Sequence, residues 1–174
     1  MCAKLYLKIK VFAKVNNPKI LIIGYSGSGK TTAAEILAEI LNTKCLNTSD
    51  QLIKELAEIL NISVNEILEN KSQYRMKLFD YGRSKQAIYP LWPQVVQVQE
   101  ADILTGLRSP DEVAAARENE LYDIIIWIDR PGCKANKTDK LTPDHADTIV
   151  KNDGRIEDLR GKLVLLSQQL KSQQ

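Results

Sequence analysis

Gly24-Tyr-Ser-Gly-Ser-Gly29-Lys30-Thr31 fits the pattern G-x-x-x-x-G-K-[ST] in full. It stands between a short apolar run, Lys19-Ile-Leu-Ile-Ile23, and an amphipathic stretch with Ile36, Leu37, Ile40 and Leu41 on one face. No other feature constrains the chain as strongly. A buried strand must lead into the glycine-rich turn and a helix must leave it, because only then do successive backbone N–H groups and a helix N-terminus converge on one anion. The pattern predicts a phosphate cradle made by Gly24, Ser26, Gly27, Ser28, Gly29, Lys30, Thr31 and Thr32. Lys30 is expected to reach the β- and γ-phosphates of ATP, and Thr31 to offer its hydroxyl to Mg²⁺.

The alternation of strand and helix continues. Lys44-Cys-Leu46 reads as a second strand, followed by an amphipathic helix from Thr48 to Leu60 with Leu52, Ile53, Leu56, Ile59 and Leu60 expected inside. A helical region runs from about Val64 to Ala87, and Pro90 and Pro93 break the chain after it. Asp102 to Thr105 reads as a strand, and Ser109-Pro-Asp-Glu112 opens a helix with serine as N-cap, proline at N1 and glutamate at N3. Asp123-Ile-Ile-Ile-Trp-Ile128 is the clearest buried strand, Thr148-Ile-Val150 is a last short one, and the final helix carries Ile156, Leu159, Leu163, Leu166 and Leu170. The order predicts one α/β domain over residues 1–174: a three-layer P-loop fold with a mostly parallel sheet of about five strands between helices. Leu5, Leu7, Ile9 and Val11 alternate with Lys4, Lys8 and Lys10, which reads as an added N-terminal edge strand. Ligands in such a fold bind at the carboxyl ends of the strands.

Composition removes several classes. The net charge is +2, so no strong field points to nucleic acid or to an anionic membrane. Lysines interrupt the first residues, which excludes a signal core or membrane span there. Cys2, Cys45 and Cys133 match no metal spacing and read as reduced thiols of a cytoplasmic protein. With His145 as the single histidine, a zinc site or a Ser-His-Asp triad lacks its residues. The partner expected is a small-molecule nucleotide substrate, with the protein a monomer or homodimer.

Three kinds of P-loop protein remain. Asn136-Lys-Thr-Asp139 matches the N-K-x-D guanine motif, but it does not follow directly on the strand that stops near Asp129. Asp50, Asp80, Asp102, Asp111, Asp123 and Asp129 are read as lacking the glycine of D-x-x-G, and Asp158-Leu-Arg-Gly161 falls inside the last helix. This speaks against a GTPase. A regulatory ATPase could use the strand ending at Asp129, but 174 residues leave no room for a second module. A kinase needs an acceptor pocket and a cover that excludes water. The insert at about 61–100 suits the first, and the loop at about 130–144, with Arg130, Lys134, Lys137 and Lys140, suits a lid over phosphates.

Four segments carry a resemblance. Asn47-Thr-Ser-Asp50-Gln-Leu-Ile-Lys54 resembles the F-A-D-P-L-K stretch of bacteriophage-type deoxynucleoside monophosphate kinases, and Tyr74-Arg75-Met-Lys-Leu78-Phe-Asp-Tyr-Gly82 resembles their R-x-x-L-x-x-x-G helix. Leu104-Thr-Gly-Leu-Arg108-Ser-Pro-Asp-Glu112 is similar to their D-V-R-x-x-x-E segment, with Gly106 in place of the aspartate. Asp147-Thr-Ile-Val-Lys-Asn152-Asp-Gly154 is similar to their D-x-x-I-x-N-D-G ending, which dephospho-coenzyme A kinases share. The resemblance implies transfer of the ATP γ-phosphoryl group to a (deoxy)nucleoside monophosphate. Dephospho-coenzyme A kinase or another small-metabolite kinase is the alternative, and a regulatory ATPase the alternative of another class.

It also implies roles. Lys30, Asp50, Arg108 and Arg130 would be catalytic. Asp50, Arg75, Arg83 and Arg108 would contact the acceptor, arginine being the side chain that grips phosphate with two donors. Arg130, Asn152 and Gly154 would lie about the adenine. Each has a plainer reading: Asp50 sits in a first helical turn where Thr48 and Gln51 could form a capping box, and Ser109 with Glu112 forms another.

Overall fold

In the computed structural model, residues 17–89, 91–137 and 139–172 are described, so the expected strand near the N-terminus lies outside them. Strand β1 (Ile20–Ile23) has all four residues at 0% exposure, because it is covered on both faces. It pairs in parallel with β3 (Ile103–Thr105) on one side and β4 (Ile124–Asp129) on the other. Outside these lie β2 (Cys45–Asn47) and β5 (Thr148–Lys151), giving a five-stranded parallel sheet in the order β2-β3-β1-β4-β5. Each strand was legible as a short apolar run, and the expected α/β architecture is the one observed.

Alternate residues of β1 serve the two faces. Ile20 and Ile22 pack with Leu37 and Leu41 of α1 (Lys30–Leu41) and with Leu159 and Leu163 of α7 (Ile156–Ser172). Leu21 and Ile23 pack with Trp127, with Val98 of α5 (Gln94–Glu100) and with Val113 of α6 (Pro110–Glu118). A third, smaller core joins α2 (Thr48–Leu60), α3 (Val64–Glu69) and α4 (Lys71–Ile88) through Ile53, Leu56, Ala57, Ile67 and Leu78. This side cluster holds α4 across the carboxyl ends of β2 and β3.

Some local expectations needed correction. The helical region read from Val64 to Ala87 is two helices, divided at Asn70, with Ser63 capping α3 through a hydrogen bond from Glu66 N–H at 3.1 Å. Helix α5 follows Pro93, where only a break was expected. Ile59 is 62% exposed, because it falls off the helical stripe formed by Ile53, Leu56 and Ala57. Asp147 is structural: its carboxylate accepts from Ile125 N–H at 2.7 Å and pairs with Arg117, which ties the entry of β4 to the turn before β5. His145 is held within a 3₁₀ turn at Pro143–His145, its Nδ1 accepting from Thr142 N–H at 3.1 Å. Among the described residues no helix is long and apolar enough to cross a membrane.

Candidate active site

The glycine-rich turn leaves β1 at Ile23 and enters α1 at Lys30. Gly24 has φ 149°, and a Cβ there would stand 2.6 Å from the Ile128 carbonyl oxygen, so the turn can close only with glycine. Ser28 N–H donates to the Tyr25 carbonyl at 3.1 Å, and Tyr25 is wedged edge-on against Trp127 with ring centroids 4.9 Å apart. Asn152 braces the far side: its Nδ2 donates to the Ser28 carbonyl at 2.8 Å and its backbone N–H to the Asp129 carbonyl at 2.7 Å. The Ser28 hydroxyl is buried with no partner among the described residues. A curled loop, a lysine on its inner side and an unspent buried hydroxyl fit a polyphosphate, so the residues present are those ATP would need.

A cavity of about 290 Å³ opens beside this loop, at the small end of the range for metabolite sites. Lys30 and Thr31 line one wall, α4 contributes Arg75 and Arg83 to another, and the turn after β3 contributes Arg108. The spacing on α4 explains the second wall. Arg75, Phe79 and Arg83 recur every four residues and so share a face, with the Arg83 guanidinium 5.8 Å from the Phe79 ring centroid. Arg75 Nη1 approaches Ser26 Oγ at 3.4 Å, which brings α4 to the loop itself.

These cations act on one another. Lys30 Nζ donates to the Tyr25 carbonyl at 2.7 Å. Burial first, and then the Arg108 guanidinium, pull its pKa down to about 8, against the opposing attraction of Asp139. A phosphate anion would favour the charged form and raise that pKa again. At pH 8 to 8.5 the protein is therefore expected to take up protons when a non-hydrolysable ATP analogue binds. Calorimetry in two buffers of different ionisation heat measures this, and binding should weaken as pH rises through about 8.

Arg108 is set by Glu112. One carboxylate oxygen accepts from Arg108 N–H at 2.9 Å and from Ser109 N–H at 2.8 Å, completing the expected capping box. The other accepts from Gln86 Nε2. Glu112 is only 7% exposed, and burial pushes its carboxyl up against these hydrogen bonds. The Arg108 guanidinium pairs with Asp139 from the loop after β4. Asp139 also accepts from Ser26 N–H at 3.2 Å and Asn136 N–H at 3.3 Å.

The structure thus gathers Ser26, Gly27, Lys30, Thr31, Arg75, Arg83 and Arg108 at one cavity. Gly24, Ser28 and Gly29 shape the loop behind it and Thr32 lies in the first turn of α1, none of them lining the cavity. Asp50 is exposed and outside the lining, directly after the residues that do face the cavity, Asn47, Thr48 and Ser49. The N-cap of α2 is Asn47, which accepts from Ser49 N–H at 3.0 Å, so the expected Thr48–Gln51 box is not the one formed. Arg130 is exposed past the end of β4 and does not line the cavity. The backbone N–H of Asn152 is spent on Asp129, so this residue acts on the P-loop rather than through a backbone contact with a base. A Cβ at Gly154 would lie 2.4 Å from Asp158 Oδ2, the oxygen that accepts from Arg155 N–H at 2.8 Å at the entry of α7.

Gly106 has φ 104°, and a Cβ there would meet Asn47 Oδ1 at 2.3 Å and Thr48 Oγ1 at 2.6 Å. The corner between β2 and α2 therefore leaves no room for a side chain at this position. Among the described residues no cluster of three His, Cys, Asp or Glu side chains is placed to hold a metal. Mg²⁺ would rest on Thr31 and on phosphate oxygens, the usual way this ion is held beside a polyphosphate.

Asn47, Gln86 and Asp139 are cavity or loop residues that the sequence reading did not single out. Asn47 was readable, since asparagine directly before a helical run is a strong N-cap. Asp139 was seen only as the end of N-K-x-D. Asp129 does not belong with the aspartates that lack a glycine, since Asp129-Arg-Pro-Gly132 has the D-x-x-G spacing. Both guanine-type signatures fall inside one loop, and Asp139 of the second is engaged with the P-loop and Arg108 rather than open to a base.

Fold and cradle together define a P-loop NTPase. The family described as "ATPase family associated with various cellular activities (AAA)" has a model that matches residues 20–156, and the chain belongs to that family. A shikimate kinase of Caldicellulosiruptor bescii is 25% identical over 143 residues, covering 80% of this chain and 73% of that protein. A crystal structure of shikimate kinase from Bacteroides thetaiotaomicron superposes with a TM-score of 0.52 at 11% identity, over 90% of this chain and 99% of that one. Shikimate kinase from Aquifex aeolicus gives a TM-score of 0.48 at 20% identity, over 88% and 97% of the two chains.

Proposed function

We propose that this chain transfers the γ-phosphoryl group of ATP to a phosphate oxygen of a (deoxy)nucleoside monophosphate. The observation that carries the reading is that Arg75, Arg83 and Arg108 line the same cavity as Lys30 and Thr31. Phosphoryl transfer is mostly positioning and charge stabilisation, and this wall supplies three guanidinium groups opposite the cradle.

The choice of a phosphate acceptor rests on the carboxylates at the site, which among the described residues are all engaged. A hydroxyl acceptor must lose a proton during transfer, which calls for a nearby general base. Glu112 is the carboxylate that lines the cavity, and its oxygens are taken by two backbone N–H groups and Gln86. An acceptor phosphate arrives ionised and needs no base. One of its oxygens forms a bond to the γ-phosphorus, the bond from that phosphorus to the β,γ-bridging oxygen breaks, and ADP leaves with the electron pair. Lys30 would hold the phosphates of the donor, and Arg75, Arg83 and Arg108 those of the acceptor. Mg²⁺, when bound, would neutralise charge on the donor phosphates next to Thr31.

The similarity to shikimate kinases supports a small-metabolite kinase in general, and the family match favours a second reading, an ATPase without a small acceptor. A coupled ADP-release assay distinguishes them. The panel holds ribo- and deoxynucleoside monophosphates, dephospho-coenzyme A, shikimate and no acceptor. Turnover dependent on one or a few monophosphates is expected. Turnover with shikimate or dephospho-coenzyme A alone would move the acceptor class, and hydrolysis indifferent to every acceptor would favour the ATPase.

A further inference from the structure

Asp139 stands between the two halves of the site. It comes from the loop after β4, more than a hundred residues from the P-loop, yet its side chain is only 5% exposed. One carboxylate oxygen accepts from Ser26 N–H of the glycine-rich turn at 3.2 Å, and the other pairs with the guanidinium of Arg108 on the acceptor wall. Around it the loop is closed by Asp139 N–H donating to the Asn136 carbonyl at 3.1 Å and by Lys140 N–H donating to the Arg108 carbonyl at 3.2 Å. Lys30 donates to the Tyr25 carbonyl, and the acceptor that the backbone donor at Ser26 meets is the loop's own carboxylate.

A backbone N–H of an anion cradle and an arginine are the two kinds of donor that a phosphate group bridges. We propose that Asp139 is a built-in stand-in for phosphate: in the nucleotide-free protein its carboxylate holds the P-loop donor at Ser26 and masks Arg108, and an incoming polyphosphate must displace it. Two consequences follow from charge alone. The displaced carboxylate and the phosphates repel each other, so nucleotide binding is weaker than the cradle by itself would give. Displacement also breaks the Arg108–Asp139 pair, so nucleotide binding and acceptor capture reinforce each other, and by reciprocity of linkage each ligand tightens the other. The inference rests on the P-loop as a nucleotide site, not on the identity of the acceptor.

The probe is a non-hydrolysable ATP analogue with Mg²⁺, titrated calorimetrically into the whole chain and into Asp139→Asn, Asp139→Ala and Asp139→Glu. Asparagine keeps the shape and removes the charge, alanine removes both, and glutamate keeps the charge. The asparagine and alanine variants are expected to bind the analogue about 5-fold tighter or more, the low end of ordinary coupling between sites, while the glutamate variant stays near the wild type. Hydrogen exchange at the Ser26 amide should be faster in the unliganded alanine variant than in the wild type. Equal or weaker binding in both charge-removing variants, with unchanged melting temperatures, would overturn the stand-in and leave Asp139 as a loop tie. If one variant melts early, the other carries the comparison. Tighter binding together with a silent acceptor panel would keep the stand-in and sink the kinase. Phosphorylation of monophosphates together with unchanged binding would do the reverse.

Discussion

Lys30→Ala is expected to lower acceptor-dependent turnover by about 10²–10³-fold, the usual cost of removing one preorganised donor from a charged transition state. The geometry explains why no neighbour can substitute. Arg75 reaches toward Ser26 Oγ from α4 and Arg108 stands on the turn after β3, whereas Lys30 alone rises from the first helical position after the glycines. The same substitution should not unfold the protein. Burial and the nearby Arg108 charge already penalise the lysine cation, which is why its pKa falls to about 8. Removing the ammonium relieves that penalty, so the melting temperature at neutral pH should hold or rise slightly while activity collapses. The coupled assay and a thermal melt on the same sample check both halves. Turnover close to wild type in Lys30→Ala would mean that the P-loop does not serve the reaction.

The second large effect concerns Gly106, which stands where the sequence resemblance would expect an aspartate. Gly106→Asp is expected to impair the protein rather than improve it. A side chain at φ 104° carries backbone strain of about 1–3 kcal/mol. Its Cβ would also lie 2.3 Å from Asn47 Oδ1 and 2.6 Å from Thr48 Oγ1, the groups that start α2. Moving them loosens the N-cap made by Asn47 to Ser49 N–H and so disturbs the wall next to Thr31. Denaturant unfolding should show a loss of about 2 kcal/mol or more, with lower turnover. A stable Gly106→Asp variant with higher turnover would show that the β2–α2 corner yields, and that the absent aspartate had limited the enzyme.

The parts of this protein that could be read in advance are those whose information is local. The runs Ile20–Ile23 and Ile124–Ile128 are apolar on both faces and so declare buried strands, and Ser109-Pro-Asp-Glu112 declares a helix start within four residues. Arg75, Arg83 and Arg108 were named as acceptor contacts by the resemblance, and they share a cavity. The misses have a common cause. Asp50 was named by the resemblance alone, but the packing of α2 on its own core turns Asn47, Thr48 and Ser49 to the cavity and leaves Asp50 in solvent. Ile59 was counted as core for the same lack of knowledge about which stripe the neighbours would cover.

By itself, then, the sequence determined the strand, the glycine-rich turn and the helix that follows, because side-chain period, glycine spacing and caps act over one or two turns of chain. Only the tertiary structure decided which charges meet. Asp139 reaches Ser26 across 113 residues, and Asn152 reaches Ser28 across 124. Those contacts depend on the β2-β3-β1-β4-β5 order, which sets the loops after β4 and β5 beside the one after β1. No periodicity encodes such a meeting. It follows from parallel crossovers that bring the carboxyl ends of the strands to one edge of the sheet.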